Sequence, residues 1–434
     1  MRVGRIIDLC INRGVEYADC TSITYRRLRV DYINGQAVVS QSSGDVYVLK
    51  VLSKGSWGVG AFTKLNDEVI TDVLKKAAAN TVKNIKLAQR RPAQGGYVIG
   101  QKKEISESCV PDVVHFLKSV ETSLREYCEG LQSFEGVVEG LVKTRAMISS
   151  DGVNAYEVKP LVVGCFIARA KSGEVATTEV FGSGGLEVLE RVSPQELVEE
   201  LAYKLNATLN SKALNPYYRG SRFEVVLSPK AASHVMQVIV EEFLNARRWR
   251  WHLKDGYSNL TILDDPTIEG GYGSFFFDDE GVKARRKKLI EDGRLVSLLH
   301  NRETAYVHGV EPTGNGRGFA VPPEPLHSNI IVCPGDWSLK EIVEETKLGF
   351  LVHGVKRVYL VNELLAIEPD ATFLLIKGEL RSPVKVNYFA IDARSFFSEI
   401  KAISSGPLGF AREVMLGCET ASYSPPIKVN LRAF

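Results

Sequence analysis

One stretch of the chain places polar side chains at the spacing of a single helix face. The segment SPKAASHVMQVIVEEFLNARRW at residues 228–249 follows the apolar run FEVVL at 223–227, a pattern that predicts a strand leading into a helix. Its polar residues recur every three or four positions as His234, Gln237, Glu241 and Asn245. Groups so placed could bind a metal ion or a polar ligand. A face that is merely solvated or hydrogen-bonded is the alternative, and the spacing alone favours it.

The helix that must position this polar face has clear start signals and an apolar side. Ser228 is a suitable N-cap, and Pro229 occupies the first helical position, where an N–H group has no intrahelical partner. Apolar residues occur at the same three- and four-residue spacing: Val235, Ile239, Phe243 and Ala246. We therefore predict an amphipathic helix at the centre of the second half of the chain.

The other potential metal ligands do not form a recognisable motif. The seven histidines include no pair at metal-binding spacing on one predicted helix, and the seven cysteines are scattered, odd in number and without a CxxC pair. A zinc ribbon or a secreted disulfide scaffold is therefore not expected. A site of dispersed ligands, such as His234 with Cys418, stays open, and Cys418 is a weak candidate for a metal ligand.

The glycine-rich segment TGNGRG at 313–318 is a candidate contact loop. It lacks the following Lys-Ser/Thr of a phosphate-binding loop, and the chain contains no HExxH or G-x-S-x-G motif. Glycines let a backbone approach a ligand or a partner closely. Arg317 has a donor fork that suits a carboxylate or a peptide carbonyl, so Arg317, Asn315 and His234 are our candidates for peptide or partner contact. A solvated loop arginine is the alternative.

Two short basic segments suggest, in isolation, nucleic-acid binding. ARRWRWHLKDG at 246–256 mixes Arg with Trp, and KARRKK at 283–288 follows it. However, 54 Lys and Arg residues face 52 Asp and Glu residues, a net charge of +2, which gives no broad basic field. A charged helix end followed by a buried tryptophan explains the first segment equally well, so nucleic-acid binding is not expected.

The bulk composition describes a soluble protein of two domains. A chain of 434 residues exceeds what one hydrophobic core usually supports, while 44% hydrophobic and 24% charged residues are ordinary globular values. The N-terminus lacks the apolar core and cleavage site of a signal peptide, and no stretch is long and apolar enough to span a membrane. We therefore expect a cytoplasmic protein without membrane contact.

The first half reads as strands and long helices. A short helix at 3–13 precedes a meander with the hairpin signal Asn34-Gly35. Further turns are expected near Ser43-Gly44, Ser53-Gly55, 150–152 and 171–173. Helices are expected over 65–87, 110–131 and 194–209, and strands over 134–181.

The second half reads as many short strands with few helices. A helix is expected near 338–348 and a hairpin at Gly378-Glu379, and the spaced turns favour a closed or nearly closed antiparallel barrel. The predicted class is α+β, with an N-terminal mixed α/β domain of antiparallel sheet and long helices, and a C-terminal, mostly antiparallel β-barrel-like domain. The segment ALNPYYRGS places the boundary between domains 1–215 and 216–434.

Several stretches, in this order, resemble one known family. They are EYADCTS, INGQ and GSWGVGAF in the first half, then DDEGVKARRKKLIEDGRLVSLLHNRETA, TGNGRG and PEPLHSNIIV in the second. Together they resemble the TldD/PmbA family, also called modulators of DNA gyrase, over nearly the whole chain. The resemblance implies an N-terminal α+β domain, a C-terminal barrel-like domain, and a TldD–TldE heterodimeric metalloprotease that cleaves unfolded or small peptides.

The chain departs from the zinc-binding pattern of that family. In TldD the helix after the VVL strand carries His-Glu, three residues and a second His, with a Cys near the C-terminus as a further ligand. The same alignment puts Gln237 at the first His, Val238 at the catalytic Glu and Glu242 near the second His. An alkyl side chain at Val238 cannot activate a zinc-bound water, and a Gln replaces an imidazole poorly. Cys418 lies near the family cysteine but lacks the glycines expected around it.

The resemblance therefore implies a TldE (PmbA)-type subunit without its own zinc site and with no catalytic residue. We expect it to shape a peptide-binding cavity and to hold a TldD-like catalytic partner, which would carry the zinc, in a heterodimer; a homodimer stays open. Two alternatives remain: a self-sufficient peptidase with a non-standard site, and a DNA-associated regulator whose binding would depend on arginines 247, 248, 285 and 286.

Overall fold

The computed structural model describes residues 3–82, 84–249 and 259–434. Its helices are α1 Val3–Asn12, α2 Asp67–Ala79, α3 Val110–Tyr127, α4 Pro194–Leu209, α5 Pro229–Phe243, α6 Arg302–His308 and α7 Leu339–Glu344. None of these described helices is both long enough and apolar enough to cross a bilayer. The long helices belong mainly to the first half, as the sequence pattern predicts.

Strands make up most of the remaining structure. Those of the first half are β1 Tyr17–Ile33, β2 Gln36–Ser53, β3 Ser56–Phe62, β4 Gln94–Val98, β5 Leu131–Ser149, β6 Asn154–Ala170, β7 Val175–Ser183 and β8 Lys212–Ala213. Those of the second half are β9 Arg222–Leu227, β10 Ile262–Asp264, β11 Lys287–Glu291, β12 Arg294–Leu295, β13 Gly316–Arg317, β14 Glu324–Pro325, β15 Asn329–Val332, β16 Leu348–Val361, β17 Leu364–Ile376, β18 Glu379–Lys385, β19 Phe389–Asp392, β20 Ile400–Ile403, β21 Gly409–Met415, β22 Cys418–Ser424 and β23 Ile427–Ala433.

A seven-stranded sheet forms the body of the N-terminal half. Its order is β3-β2-β1-β5-β6-β4, with β7 also paired to β6. The expected Asn34-Gly35 hairpin joins β1 and β2, with φ of 45° and 86° at the two turn residues. The turn expected at Ser43-Gly44 was wrong, because β2 runs unbroken through these residues opposite Arg26 and Tyr25.

Helices cover this sheet in two places. α1 and α2 pack on β1–β3 around Ile6, Ile70 and Val73, and α3 and α4 pack around Leu117 and Leu201. The helix expected at 65–87 begins where predicted, with Asn66 accepting a hydrogen bond from the Val69 N–H, but ends at Ala79. The helix over Pro194–Leu209 has the expected bounds because Ser193 and Glu196 form a capping box.

Five strands of the C-terminal half close into a barrel. The ring runs β16-β9-β23-β19-β17 and returns to β16, and only the β16–β9 pair in it is parallel. A six-stranded sheet, β12-β11-β10-β15-β22-β21, lies alongside. The predicted fold class is therefore confirmed: α+β, with a mostly antiparallel, barrel-containing C-terminal half.

Helix α5 lies at the centre of this half. Its apolar residues Val235, Ile239 and Phe243 are buried in the same core cluster as barrel residues Val225 and Phe350. Ser228 caps the helix by accepting from the Ala231 N–H, as expected. The helix ends at Phe243, so the residues from Leu244 to Trp249 continue as turns and coil.

Elements of the two halves contact each other near the predicted boundary. The short strand β8 at Lys212–Ala213 pairs in parallel with β18, and α4 contacts β17. Lys204 on α4 lies 3.3 Å from Asp370 on β17. The division into domains 1–215 and 216–434 stays a prediction.

The barrel closure can be tested at a glycine of β16. A methyl group on Gly349 would lie 2.1 Å from the carbonyl oxygen of Glu224 on β9, where the ring closes. We expect Gly349→Ala to lower the free energy of unfolding by about 2–3 kcal/mol through overpacking, measured by chemical denaturation. Gly354→Ala on the same strand is the matched control, since its nearest neighbours would lie 3.4 Å away. Equal effects of the two changes would contradict closure of the ring between β16 and β9.

Candidate functional site

One face of the N-terminal sheet carries a row of charged side chains. On β5, Lys143 and Arg145 lie directly opposite Lys159 and Glu157 on β6. Lys50 on β2 lines the same space. Four of the five are buried, with exposed fractions of 8% or less. Buried charges require partners, and here the partners come from the C-terminal half.

Three C-terminal segments, 275–279, 317–320 and 417–419, cover this row and leave a cavity of about 50 Å³. That space accommodates a few water molecules or one small polar group. Nine of its nineteen lining residues are charged: the cationic residues are Lys50, Lys143, Arg145, Lys159 and Arg317, and the acidic residues are Glu157, Asp278, Asp279 and Glu419. This ionic cavity is the candidate functional site.

Glu419 on β22 links the hairpin β21–β22 to the sheet. Its Oε1 accepts from Lys143 Nζ at 2.8 Å, and its Oε2 lies 3.5 Å from Lys159 Nζ. Burial opposes the charge of Glu419, but the two lysines outweigh it and hold its pKa well below the usual range. Burial lowers the pKa of Lys159 to about 8 despite Glu419, whereas Glu419 outweighs burial at Lys143 and raises its pKa. The carboxylate thus separates two lysines that face each other across strands.

Arg145 makes the second link between the halves. Its guanidinium pairs with Glu157 at 3.0 Å and with Asp279, and donates to the carbonyl of Phe277. The guanidinium carbon lies 4.4 Å from the centroid of the Phe277 ring. Lys50 Nζ also reaches across, donating to the Asp279 carbonyl at 2.5 Å. The sheet is therefore joined to segment 275–279 through buried charge-assisted hydrogen bonds.

Cys418 enters the cavity from the turn of the β21–β22 hairpin. Leu416 and Gly417 form that turn, with φ of 48° and 78°. The Cys418 thiol donates to Asp279 Oδ2 at 3.4 Å. Burial and the neighbouring Asp279 raise the pKa of the thiol to about 12. Cys418 is accordingly a neutral thiol at pH 7 and a poor nucleophile.

The polar face of α5 is engaged within the chain. The Gln237 amide donates to Glu413 Oε2 at 2.9 Å and lies 3.4 Å from Thr420 Oγ1 on the same hairpin that carries Cys418. Val238 packs against the hydrophobic core, and Glu242 pairs with Arg248 at 3.2 Å. Helix α5 therefore contacts the hairpin that carries Cys418.

These residues do not fit a zinc site. Gln237 uses its amide as a donor, Val238 offers no ligand atom, and Glu242 already neutralises an arginine. Cys418 would have to lose a strongly held proton before it could bind a metal ion. Among the described residues, no group of three or more His, Cys, Asp or Glu side chains is arranged to hold a metal ion. We derive no chemistry through a metal in this chain.

The three contact candidates lie in different settings. Arg317 lines the ionic cavity, whereas Asn315 is fully buried and donates to Asp264 and to the Leu326 carbonyl, each at 2.9 Å. His234 lies on α5, where Nδ1 is 2.9 Å from the Lys230 carbonyl and burial lowers the pKa of the ring. The structure therefore brings Arg317 together with Cys418, but not with Asn315 or His234. Their roles as peptide or partner contacts stay predictions.

The basic segments are largely neutralised by acids. The four arginines named for DNA binding each face a carboxylate: Arg247 faces Glu303 and Glu324, Arg248 faces Glu241 and Glu242, Arg285 faces Glu311, and Arg286 faces Asp265. Residues 250–256 of the first segment lie outside the described part of the chain. Trp249, just before them, packs against the hydrophobic core, as the alternative interpretation expected.

Sequence reasoning missed most of the ionic cavity. Lys143, Arg145, Glu157 and Lys159 lie at alternate positions of β5 and β6, on strands with otherwise buried faces. Charges at period two inside apolar strands are a signal that this face meets another charged surface. Glu419 had no such signal, because it directly follows Cys418 at a turn.

Comparison with known proteins agrees with this architecture. Residues 220–431 match the PmbA/TldA metallopeptidase C-terminal domain, and residues 104–209 match the PmbA/TldA metallopeptidase central domain. A metalloprotease of Methanothermobacter thermautotrophicus is 28% identical over 407 residues, covering 86% of this chain and 85% of that protein. A zinc metalloprotease TldD homolog of Saccharolobus solfataricus is 24% identical over 440 residues, covering 96% of each. The chain belongs to the PmbA/TldD family.

Solved structures show the same fold. A Thermotoga maritima protein described as a modulator of a DNA gyrase superimposes with a TM-score of 0.77 at 17% identity, covering 99% of this chain and 98% of that one. TldE from Thermococcus kodakarensis superimposes with a TM-score of 0.73 at 17% identity, covering 99% of each chain. At this identity the likeness concerns the fold alone.

Removing the Glu419 carboxylate should uncouple the hairpin from the sheet. We expect Glu419→Gln to lower the free energy of unfolding at pH 7 by about 3 kcal/mol, because the buried Lys159 and the partly buried Lys143 lose their counter-charge. The pKa of Glu419 is lowered on folding, so its contribution is complete above the unfolded carboxyl pKa and is lost as the pH falls through the folded value. The difference from wild type should therefore shrink below about pH 4.

Chemical denaturation at several pH values measures this difference. Glu311→Gln is the control, since the Glu311 side chain is 85% exposed and should change stability little. A wild-type-like stability for Glu419→Gln at pH 7 would show that Glu419 does not hold the hairpin.

Proposed function

We propose that this chain is the non-catalytic, TldE-type subunit of a TldD–TldE metalloprotease that cleaves unfolded or small peptides. Its role is to shape the peptide cavity and to hold a TldD-like catalytic partner, which carries the zinc. The observation that carries the proposal is the state of α5: the positions where the family's catalytic subunit has its zinc ligands and carboxylate are Gln237, Val238 and Glu242, each engaged in the chain's own packing or pairing.

Two features support peptide chemistry in the complex as a whole. The relatives that match most of this chain are named metalloproteases, a class that hydrolyses peptide bonds. The chain also has a polar cavity lined by Cys418, beside the hairpin contacted by α5, and burial raises the pKa of the Cys418 thiol to about 12, which makes it a poor nucleophile. A polar cavity with a protonated thiol is consistent with a binding role.

The purified chain should be inactive alone and active in the presence of a TldD-like partner. We expect metal analysis of the isolated chain to give far less than stoichiometric zinc, and unfolded peptide to stay intact. Addition of a TldD-like partner from the same cell should start hydrolysis, because the partner supplies the zinc-bound water. The readouts are zinc per chain by mass spectrometry and peptide cleavage by chromatography.

Substitutions in the catalytic partner provide the control. Changing the His-Glu-x-x-x-His glutamate of the partner should abolish cleavage by the pair, while Cys418→Ala in this chain should leave cleavage largely intact. Stoichiometric zinc together with hydrolysis by the isolated chain would overturn the proposal. Loss of that activity on substitution of Cys418 or His234 would instead favour a self-sufficient peptidase.

A second prediction concerns the helix itself. We expect the triple variant Gln237→His, Val238→Glu and Glu242→His to retain zinc after dialysis, because Gln237 already contacts the hairpin that carries Cys418. Adding Cys418→Ala to the triple variant is the matched control and should weaken zinc binding at least about tenfold. A triple variant that folds but binds zinc no better than wild type would show that α5 and this hairpin do not form a latent metal site.

A further inference from the structure

A pocket in the N-terminal half lies between the start of α3 and the start of α4. Its volume is about 410 Å³, which is within the range of small-molecule sites. Its walls come from the first turns of α3, from the 3₁₀-helix Leu186–Arg191 and from the residues that begin α4. We call it the α3–α4 pocket. It is separate from the ionic cavity, with which it shares no lining residue.

The floor of the α3–α4 pocket is apolar. Val113, Leu186 and Leu189 are each 7% exposed or less and belong to the hydrophobic core of this half. Phe116 and Val192 pack against that core but are only partly buried, so part of their apolar surface faces the pocket. A concave apolar surface gains free energy when a hydrocarbon group displaces water from it. The floor therefore suits an aromatic ring or a branched aliphatic group.

The rim of the pocket is polar and open to solvent. Lys103 and Glu190 line it as an ion pair, with side chains that are 54% and 57% exposed. Asp112 also lines the pocket and is exposed. Within the described residues, no cationic group lies within 4.0 Å of the Asp112 carboxylate. One negative charge at the rim therefore has no partner in the chain.

The segment that leads into α3 adds further negative charge. Glu104 and Glu107 are exposed, and they form no ion pair within the part of the chain that the structure describes. The neighbouring cation Lys102 lines a different groove, together with Tyr97 and other residues of that segment. An apolar floor with an acidic rim fits a ligand that combines a hydrocarbon group with a positive charge.

We propose that the α3–α4 pocket binds a small hydrophobic amine, with the hydrocarbon group on the apolar floor and the ammonium group beside Asp112. An ammonium group complements the carboxylate in charge and offers three N–H donors. This inference goes beyond the proposed subunit role, because neither α5 nor the ionic cavity contributes to the site. The N-terminus of a peptide shares the chemistry of a free amine, so the experiment separates the two sources.

Calorimetric titration of the full chain with three probes tests the charge selectivity: phenethylamine, 2-phenylethanol and phenylacetate. The probes share one ring and differ in the charge of the polar group. We expect phenethylamine to bind about threefold more tightly than the neutral alcohol, because an exposed ion pair adds only modest affinity. It should bind about tenfold more tightly than phenylacetate, whose charge Asp112 repels. Equal binding of the three probes, tighter binding of phenylacetate, or no binding at all overturns the proposal.

Phenylalanyl-alanine amide carries the same ring and a free N-terminal amine, so it tests the peptide source. We expect this dipeptide to bind no more tightly than phenethylamine, because the floor and Asp112 already account for the ring and the ammonium group. Clearly tighter binding of the dipeptide would assign the pocket to peptide N-termini and overturn the assignment to a small amine.

Asp112→Asn is the main variant. It should remove the preference for phenethylamine over 2-phenylethanol and leave the affinity for the alcohol unchanged, since the apolar floor is intact. Asp8→Asn is the matched control, because Asp8 is an exposed carboxylate on α1 that no described cationic group contacts. Equal loss of the preference in both variants would show that overall charge, and not the rim of the pocket, selects the amine, and would overturn the proposal.

Cys109 lines the pocket and reports on its occupancy by a second measurement. Its thiol is free and partly buried. We expect a saturating concentration of phenethylamine to slow the alkylation of Cys109 by iodoacetamide about tenfold, because only the unoccupied fraction reacts. Cys165 and Cys333 are also free and partly buried, lie outside the pocket, and should react at unchanged rates. An unchanged rate at Cys109 contradicts the assignment.

Val192→Phe provides an independent variant that fills the pocket, and its thermal unfolding is measured beside its binding. A folded Val192→Phe chain should bind none of the three probes, and wild-type affinity for phenethylamine in that chain would overturn the proposal. All these measurements use the chain alone, without a partner or zinc. Their failure therefore leaves the zinc and hydrolysis tests of the subunit role untouched, and failure of those tests leaves amine binding measurable.

Discussion

The two-sided ion pair of Glu419 is the constraint on which the meeting of the two halves depends. Lys143 and Lys159 lie opposite each other on β5 and β6, and like charges in directly opposed positions repel. One carboxylate from the far end of the sequence lies between them and removes that repulsion. The docking of the sheet and the hairpin therefore depends on both surfaces, because burying either charged surface without its counter-charges would be unfavourable.

Helix α5 also forms hydrogen bonds with this hairpin. Gln237 reaches Glu413 and Thr420 on its two strands, and Glu419 and Cys418 face the sheet from the same turn region. Helix α5 therefore orients the hairpin through the neutral amide of Gln237. Polar contacts of this kind fix one register and one docking angle, which an apolar contact of similar area does not.

Much of the local structure could be predicted from sequence, because it depends on neighbours in the chain. The Asn34-Gly35 hairpin, the Ser193–Glu196 capping box and the apolar face of α5 follow from short-range rules. The expected turn at Ser43-Gly44 failed because a Ser-Gly pair also fits a long exposed strand whose partner strand holds it extended. Helix α2 likewise ends at Ala79, short of the expected residue 87.

The site depended on pairings that no local rule specifies. Arg317 was a candidate because of its type, and the structure adds that both of its terminal nitrogens donate to backbone carbonyls. Lys143 and Arg145 were identifiable only once β6 and the distant residues 275–279 and 419 were known to meet them. Asn315 shows the converse. It lies in the glycine-rich loop that was a candidate for contact with a ligand, but its amide donates to Asp264 and to a backbone carbonyl within the chain.

Buried charges specify how the elements of this fold dock. Lys204 on α4 and Asp370 on β17 form one such pair, and each would be costly to bury without the other. In the ionic cavity, Arg317 donates to two backbone carbonyls, and Asp278 accepts from the backbone N–H groups of residues 280, 282 and 316. When Asp19 beside Lys50 is included, five cations meet five acids around this space. The balance is reached only when the sheet meets the C-terminal segments, so it favours the single arrangement in which both halves are docked.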